Sequence, residues 1–155
     1  MYDGRSDAVL RYLNAGVPVD YVTPERETPL FVAVRQGKRK FVEALLDRGA
    51  NVNARSRGGC TPLWVATQFA RNDIAQLLLD RGACVDAAND GGRTALMSAG
   101  MRGNQPLVEL LLERGANPQL TVGNDKTAVS YAREEGHSEI AALLQKRAWN
   151  HTSRH

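Results

Sequence analysis

The sequence contains few of the side chains from which most catalytic and metal-binding sites are built. Its 155 residues include two cysteines and three histidines, and neither type is spaced as metal ligands are. No glycine-rich phosphate loop or dinucleotide fingerprint is present either. Because a catalytic site needs a nucleophile, a base and a stabilising group that converge, we expect no enzyme activity, no cofactor, no bound metal and no small-molecule substrate.

Long apolar runs and a strong charge of one sign are also missing. No apolar stretch approaches the roughly 20 residues that a membrane span requires, and no secretory signal opens the chain. The net charge of +3 is too small to indicate nucleic-acid binding by itself. We expect Cys60 and Cys84 to be reduced structural or surface thiols, and the protein to be intracellular, cytoplasmic or nuclear, without a membrane partner.

What the sequence does contain is a repeat whose step is 33 residues. Four segments open it: Thr28-Pro29-Leu30, Thr61-Pro62-Leu63, Thr94-Ala95-Leu96 and Thr127-Ala128-Val129. Three segments close it at the same step: Asp47-Arg48-Gly49-Ala50, Asp80-Arg81-Gly82-Ala83 and Glu113-Arg114-Gly115-Ala116. A fixed period of this length with a Thr-Pro-Leu opening resembles the ankyrin repeat. The resemblance implies an all-α repeat solenoid, in which helix-turn-helix units stack and are joined by hairpin-like finger loops.

The residue types within each repeat suit that architecture. A threonine at the opening can cap a helix through its hydroxyl, and the proline that follows it in two copies fits the first helical position. Gly37, Gly103 and Gly136 are predicted at the turn between two helices, where Ala70 is expected to strain the backbone slightly. Because each helix is too short to be stable alone in water, stability is expected to come from stacking.

A single domain of five units is predicted over residues 1–155. Residues 1–27 are a partial N-terminal repeat, residues 28–60, 61–93 and 94–126 are full repeats, residues 127–150 are a C-terminal capping repeat, and residues 151–155 are a loose tail. The fingers at residues 19–27 and 117–126 depart from the family pattern, so we expect them to be irregular. Trp149 is expected to fold back over the last helix. The missing first helix favours a piece of a longer array over a reduced natural cap.

The resemblance also implies where a partner would bind, namely a concave surface built from the finger tips and the exposed side of each first helix. The family's variable positions give a surface that is basic and apolar at its centre and acidic at its C-terminal end. Its candidate residues are Arg35, Arg57, Trp64, Gln68, Phe69, Asp90, Arg93, Met101, Arg102 and Tyr131. Arginine, methionine and aromatic residues are enriched at interface centres. We therefore predict a non-catalytic, monomeric module that binds a protein or peptide bearing acidic and apolar groups.

Other interpretations stay open at this point. Phe69 and Met101 could be buried between repeats while the arginines only solvate the surface, and Trp64 is expected to lie mostly in the core. The chain could also be a structural spacer within a larger ankyrin-containing protein. A less favoured alternative is nucleic-acid binding through the same arginines, against which the acidic pair Glu134 and Glu135 argues.

Two further expectations rest on the resemblance. Asn53 is similar to the asparagine that is hydroxylated in some animal ankyrin repeats. The histidine that usually follows Thr-Pro-Leu in the family is replaced here by Phe31, Trp64, Met97 and Ser130. We therefore expect side-chain packing to replace the hydrogen bonds that this histidine makes between loops.

Overall fold

The structure of the chain, a computed structural model, describes residue 11 and residues 13–153. Eight α-helices follow one another from residue 29 onward and form four pairs. The pairs are α1 (Pro29–Gln36) with α2 (Arg39–Asp47), α3 (Pro62–Gln68) with α4 (Asn72–Asp80), α5 (Ala95–Met101) with α6 (Gln105–Glu113), and α7 (Ala128–Glu134) with α8 (Ser138–Thr152). The helix expected in the partial first repeat falls mainly on residues 1–10 and 12, outside the described part; residues 11, 13 and 14 are helical.

The helix pairs stack into two layers. The first helices of the pairs, α1, α3, α5 and α7, pack side by side in an inner layer, and α2, α4, α6 and α8 do so in an outer layer. Finger loops join successive pairs, and residues 13–153 contain no β-strand beyond an isolated bridge between Val122 and Lys126. This all-α stack is the architecture that the repeat predicted.

Threonine caps start three of the four inner helices. The hydroxyls of Thr61, Thr94 and Thr127 each accept a hydrogen bond from the backbone N–H three residues later, at O···N distances of 3.2–3.3 Å. Such a bond satisfies one of the donors that a helix N-terminus leaves open. Thr28 begins α1 in the same extended conformation, but its buried hydroxyl has no hydrogen-bond partner. The predicted cap is therefore wrong at Thr28, although Pro29 still occupies the start of the helix.

The core lies between the two layers and consists mainly of aliphatic side chains. Its largest fully buried members are Leu30, Phe31, Leu45, Leu63, Ile74, Leu78, Leu96, Met97, Leu107, Leu111 and Leu144. Burial of one such side chain is worth about 1.5–3 kcal/mol relative to exposure. Phe31 and Met97 are 1% and 2% exposed, so packing does replace polar contacts at those two of the four positions after Thr-Pro-Leu.

The turns between paired helices use one left-handed residue each. Gly37, Gly103 and Gly136 have φ angles of 72°, 70° and 79°, and Ala70 takes the same conformation with φ of 52°. A residue with a Cβ atom rarely adopts this region because the side chain approaches its own backbone. The strain expected at Ala70 is therefore present in the backbone.

All four described fingers share one closing hydrogen bond. The backbone N–H groups of residues 23, 56, 89 and 122 donate to the carbonyl oxygens four residues later, at 2.9–3.0 Å. The residue before each acceptor is left-handed: Gly59 and Gly92 in the middle fingers, Arg26 with φ of 61° in the first and Asp125 with φ of 56° in the last. The N–H of Arg26 also donates to the carbonyl oxygen of Thr23, as the N–H groups of Gly59 and Gly92 do to Ser56 and Asn89, so the expectation that the first finger is irregular is wrong. The last finger does depart from this pattern, because the N–H of Asp125 donates to Gly123 and the N–H of Lys126 donates back to Val122.

Hydrogen bonds from each finger to the next add to the stacking. Asp20, Asn53 and Asp86, which are 33 residues apart, accept the backbone N–H groups of Asn51, Cys84 and Asn117 at 2.8–3.2 Å. On the outer layer, side chains 34 residues apart pair in the same way, with distances of 2.8, 2.8 and 2.7 Å for Arg48–Asn14, Arg81–Asp47 and Arg114–Asp80. Neighbouring pairs are thus held in one register by polar as well as apolar contacts.

The last helix is longer than the sequence suggested. At 15 residues, α8 runs through Trp149 to Thr152, because Ala148 stands where the other outer helices are followed by glycine. Helix therefore includes two residues that were expected to be a loose tail. Trp149 is 74% exposed and lies within the helix, so the expectation that it folds back over the helix is wrong.

Candidate functional site

Six of the ten predicted binding residues fall on three rows that repeat along the inner side of the stack, and the other four, Arg57, Trp64, Asp90 and Tyr131, lie outside these rows. The finger row precedes each inner-helix threonine, the helix row lies eight positions further on, and the end row is the residue after that. The finger row consists of Glu27, Cys60, Arg93 and Lys126; the helix row of Arg35, Gln68, Met101 and Glu134; and the end row of Gln36, Phe69, Arg102 and Glu135. We call these twelve residues the recognition surface.

Salt bridges neutralise both ends of the recognition surface. In the first full repeat, Arg35 Nη1 and Nη2 donate to the two carboxylate oxygens of Glu27 at 2.6 and 2.9 Å. In the last repeat the polarity is reversed, and Lys126 Nζ lies 2.9 Å from Glu134 Oε2. These bonds raise the pKa of Arg35 and the pKa of Lys126. Arg35, which the sequence placed among the exposed cations, therefore has its charge balanced within its own repeat.

The two middle repeats have no such pair. The corresponding residues are Cys60 with Gln68 and Arg93 with Met101, combinations that cannot form a salt bridge. Arg102 instead bridges two repeats, because its Nε and Nη2 donate to Gln68 Oε1 at 3.2 and 2.6 Å. The amide is uncharged, so Arg102 keeps its full positive charge.

The ring of Tyr131 lies near two cationic side chains from neighbouring fingers, Arg93 and Lys126. The guanidinium of Arg93 lies 5.5 Å from the centre of the Tyr131 ring, and Lys126 Nζ lies 5.6 Å from it. Both distances are within the range of cation–π attraction, about 6 Å. Since Lys126 is already paired with Glu134, Arg93 is the cation in this cluster that lacks a carboxylate partner among the described residues.

Two further candidates lie at the finger tips. Arg57 is exposed. Its backbone N–H donates to the backbone carbonyl oxygen of Glu25 at 3.3 Å. Its guanidinium has no partner within the described part of the chain. Asp90 is also exposed, with its carboxylate 3.7 Å from Arg55 Nη2. The finger tips therefore offer one unpaired cation and one loosely paired carboxylate.

Apolar surface lies beside the central arginines. Phe69 is 47% exposed and holds the position in the second full repeat that Arg102 holds in the third. Met101 is half-buried. Trp64 is also half-buried, and its indole N–H is enclosed without a hydrogen-bond partner, which fits a side chain that belongs partly to the core. The structure thus leaves Phe69 as the large apolar side chain of the recognition surface that is most open to solvent.

The salt bridges at the two ends were missed by sequence reasoning. The sequence did contain the pattern that produces them, since opposite charges stand eight residues apart at Glu27 and Arg35 and again at Lys126 and Glu134. Within a single helix, side chains eight residues apart are too far apart to form a salt bridge. The two charges meet only because the finger folds back beside the inner helix that follows it.

Other kinds of site find no support in the described residues. Residues 11 and 13–153 hold no group of three or more histidine, cysteine, aspartate or glutamate side chains that could bind a metal ion. Burial raises the pKa of the Cys60 thiol, which is opposite to the shift of a reactive cysteine. Within the same residues, no helix combines the length and the apolar character needed to cross a membrane.

Comparison with known proteins agrees with the architecture. A family model described as "Ankyrin repeats (3 copies)" matches residues 1–89 and 84–154. The ankyrin repeat-containing protein P1E11.10 of Schizosaccharomyces pombe is 32% identical over 57 residues, which amount to 37% of this chain and 28% of that protein. The similarity to this relative therefore extends over less than a third of its length.

Proposed function

Because the chain belongs to the ankyrin repeat family, whose repeats are generally protein–protein interaction modules, we propose that it binds a protein partner through the recognition surface. The partner presents acidic and apolar groups to the central part of this surface, at Phe69 and Arg102, and to the finger-tip residue Arg57. The family is typically non-catalytic, and the proposed module acts by binding alone, as a monomer.

The observation that carries this proposal is the uneven distribution of paired charges. Arg57, Arg93 and Arg102 have no carboxylate partner in the described chain, whereas the cations at both ends are in salt bridges. An unpaired arginine beside exposed aromatic surface can gain a charge-assisted hydrogen bond from a partner without first breaking one. The central repeats are therefore better suited to an acidic ligand than the two ends.

The remaining candidate residues support the arginines. Gln68 and Tyr131 fix the positions of Arg102 and Arg93 through the contacts described above. Asp90 places a negative charge among the finger tips, which would oppose a uniformly acidic partner and favour one whose charges alternate with apolar groups.

The same charges disfavour nucleic-acid binding. Phosphate backbones are bound by extended sets of free cations, but Arg35 and Lys126 are already paired with carboxylates. Glu135 adds a negative charge at the C-terminal end of the surface, where Glu134 already balances Lys126. A spacer role would be the conclusion if no ligand of the surface can be found.

Selection from a library of random peptides displayed on phage would test the proposal whatever the identity of the natural partner. We expect the selected peptides to contain Asp or Glu next to apolar residues. Their affinity should fall at least about tenfold when Arg102→Glu and Phe69→Ala are introduced together. Circular dichroism of each variant verifies that it is folded.

Arg48→Glu is a matched control for the charge reversal. Arg48 also donates to an amide oxygen 34 residues away, that of Asn14 at 2.8 Å, but it lies on the outer layer. Peptides that bind this control and the unmodified chain equally well support the proposed surface. Peptides that bind the double variant as tightly as the unmodified chain, or a library that yields no binder, would contradict it.

A further inference from the structure

Arg102 differs from Arg35 in the nature of its partner. Arg35 is held by a carboxylate, whereas Arg102 is held by the amide oxygen of Gln68 through two donors. Both arrangements restrict the guanidinium, but only the first cancels its charge. A restricted yet uncompensated guanidinium loses less side-chain entropy when it binds an anion.

The geometry leaves one edge of the Arg102 guanidinium open. Nε and Nη2, which together form one edge of the planar group, both point to Gln68 Oε1. The group has five N–H donors in all, so the edge formed by Nη1 and the second hydrogen of Nη2 has no partner within the described residues. Arg102 is exposed, and an edge of this kind matches the two oxygens of a carboxylate.

Resting on the function proposed above, we infer that Arg102 and Gln68 form a preorganised receptor for one side-chain carboxylate, supplied by Asp or Glu of the partner. The carboxylate pairs with the open edge of Arg102. A neighbouring apolar residue of the partner packs on Phe69, which follows Gln68 in the chain and is 47% exposed. Gln68 is a positioning residue here, because it acts on the ligand through Arg102.

A carboxylate fits this receptor better than a phosphorylated side chain does. Phosphate carries nearly two negative charges and is usually bound by a cluster of arginines. Among the cations of the recognition surface, Lys126 is already paired with Glu134 and Arg35 with Glu27, so the surface does not present a full cluster of free cations. One open guanidinium edge beside apolar surface therefore suits a planar group with a single charge.

Two small probes test the inference on the unmodified protein. N-acetyl-Glu-Leu-amide and N-acetyl-Gln-Leu-amide have the same shape and differ in one charge. In ¹⁵N-labelled protein we expect the first to shift the Nε–H resonance of Arg102 and the backbone resonance of Phe69 at millimolar concentration. The second should bind at least about tenfold more weakly, because it lacks the charge-assisted hydrogen bond.

A substitution of the positioning residue provides a second measurement. Gln68→Glu keeps the size and the acceptor oxygen but gives Arg102 an internal carboxylate, as Arg35 has. We expect it to abolish the shift of the Arg102 resonance by the glutamate probe. Gln76→Glu adds the same charge at an exposed position of α4 and should leave the shift unchanged.

The outcomes separate this inference from the broader proposal. Equal binding of the two probes, tighter binding of N-acetyl-phosphoserine-Leu-amide than of the glutamate probe, or an unaltered response in Gln68→Glu would overturn the carboxylate receptor. Peptides selected on phage could still depend on Phe69 and Arg102 in that case, and the proposed function would stand. If no selected peptide depends on the recognition surface, the proposed function itself fails.

Discussion

The turn between α5 and α6 offers a sharp test of how the helix pairs are held together. Gly103 is left-handed, with φ of 70°, and a Cβ atom added there would lie 2.5 Å from Cε1 of the His137 imidazole in the next pair. Gly103→Ala should therefore strain the backbone and also displace the imidazole. The prediction is that this change destabilises the protein although it only adds a methyl group at a surface turn.

The expected magnitude follows from three contributions. The left-handed conformation costs alanine about 1–2 kcal/mol, and forcing a side chain from its preferred rotamer adds about 1 kcal/mol. Alanine restricts the unfolded chain and thereby returns about 0.5–1 kcal/mol. We expect Gly103→Ala to lower the free energy of unfolding by about 1–2.5 kcal/mol, measured by urea denaturation followed by circular dichroism.

Ala70 provides an internal comparison, because it has the same conformation with φ of 52°. The residue at the position of His137 is Asn104 here, and its amide faces Asn72 in two reciprocal hydrogen bonds of 3.1 and 2.8 Å. Ala70→Gly should thus relieve backbone strain alone. Combining the gain with the greater freedom of the unfolded chain, we expect stabilisation of up to about 1 kcal/mol.

A double-mutant cycle with His137→Ala separates the two effects at Gly103. If the imidazole accounts for part of the cost, Gly103→Ala should be about 1 kcal/mol less harmful in the His137→Ala background. An unchanged stability of Gly103→Ala, or destabilisation by Ala70→Gly, would refute a strained left-handed turn at these positions. A change in the denaturant dependence of a variant would show that its repeats no longer unfold together.

Two other predictions concern the finger loops. Asn53 donates to the carbonyl oxygen of Gly82 at 3.2 Å and accepts from the N–H of Cys84 at 2.8 Å, so Asn53→Ala should cost about 1–2 kcal/mol in urea denaturation. Asn53→Asp, which keeps the acceptor as Asp20 and Asp86 do, should cost less, and equal losses would contradict this role. Burial raises the pKa of Cys60, which leaves less of the reactive thiolate at any given pH, so iodoacetamide should label exposed Cys84 faster at mildly alkaline pH. Deprotonation of Cys60 should also reduce stability as the pH rises through its raised pKa, whereas faster labelling of Cys60 than of Cys84 would contradict the shift.

Local features of the sequence determined the architecture. The 33-residue period, the threonines before the inner helices and the glycines after the first three outer helices specify where helices start and end through short-range contacts. These contacts involve residues within one turn of helix, so their effect can be predicted from residues that are neighbours in the sequence. Thr28 shows the limit, since the same residue in the same register lacks the capping bond.

The form of the first finger was decided beyond the local sequence. Arg26 is a poor choice for a left-handed turn position, and it contributed to the expectation of an irregular first finger. It nevertheless adopts the turn seen at Gly59 and Gly92, since the hydrogen bonds that close the turn outweigh a local cost of about 1–2 kcal/mol. The similar turns of the stack override the preference of one residue.

Only the tertiary structure determined which charges of the recognition surface are paired and which are not. The resemblance to the ankyrin repeat predicted Arg35 and Arg102 to be equivalent exposed cations on the inner side. Folding brings Arg35 against a carboxylate eight residues away and Arg102 against an amide 34 residues away in the neighbouring repeat. The charge that an arginine offers to a partner depends on groups within a few ångströms, because Coulomb interactions between exposed groups are weakened by water and salt beyond that range. The sequence could therefore specify the stack, while the packing of fingers and helices determined which of its charges remain unpaired.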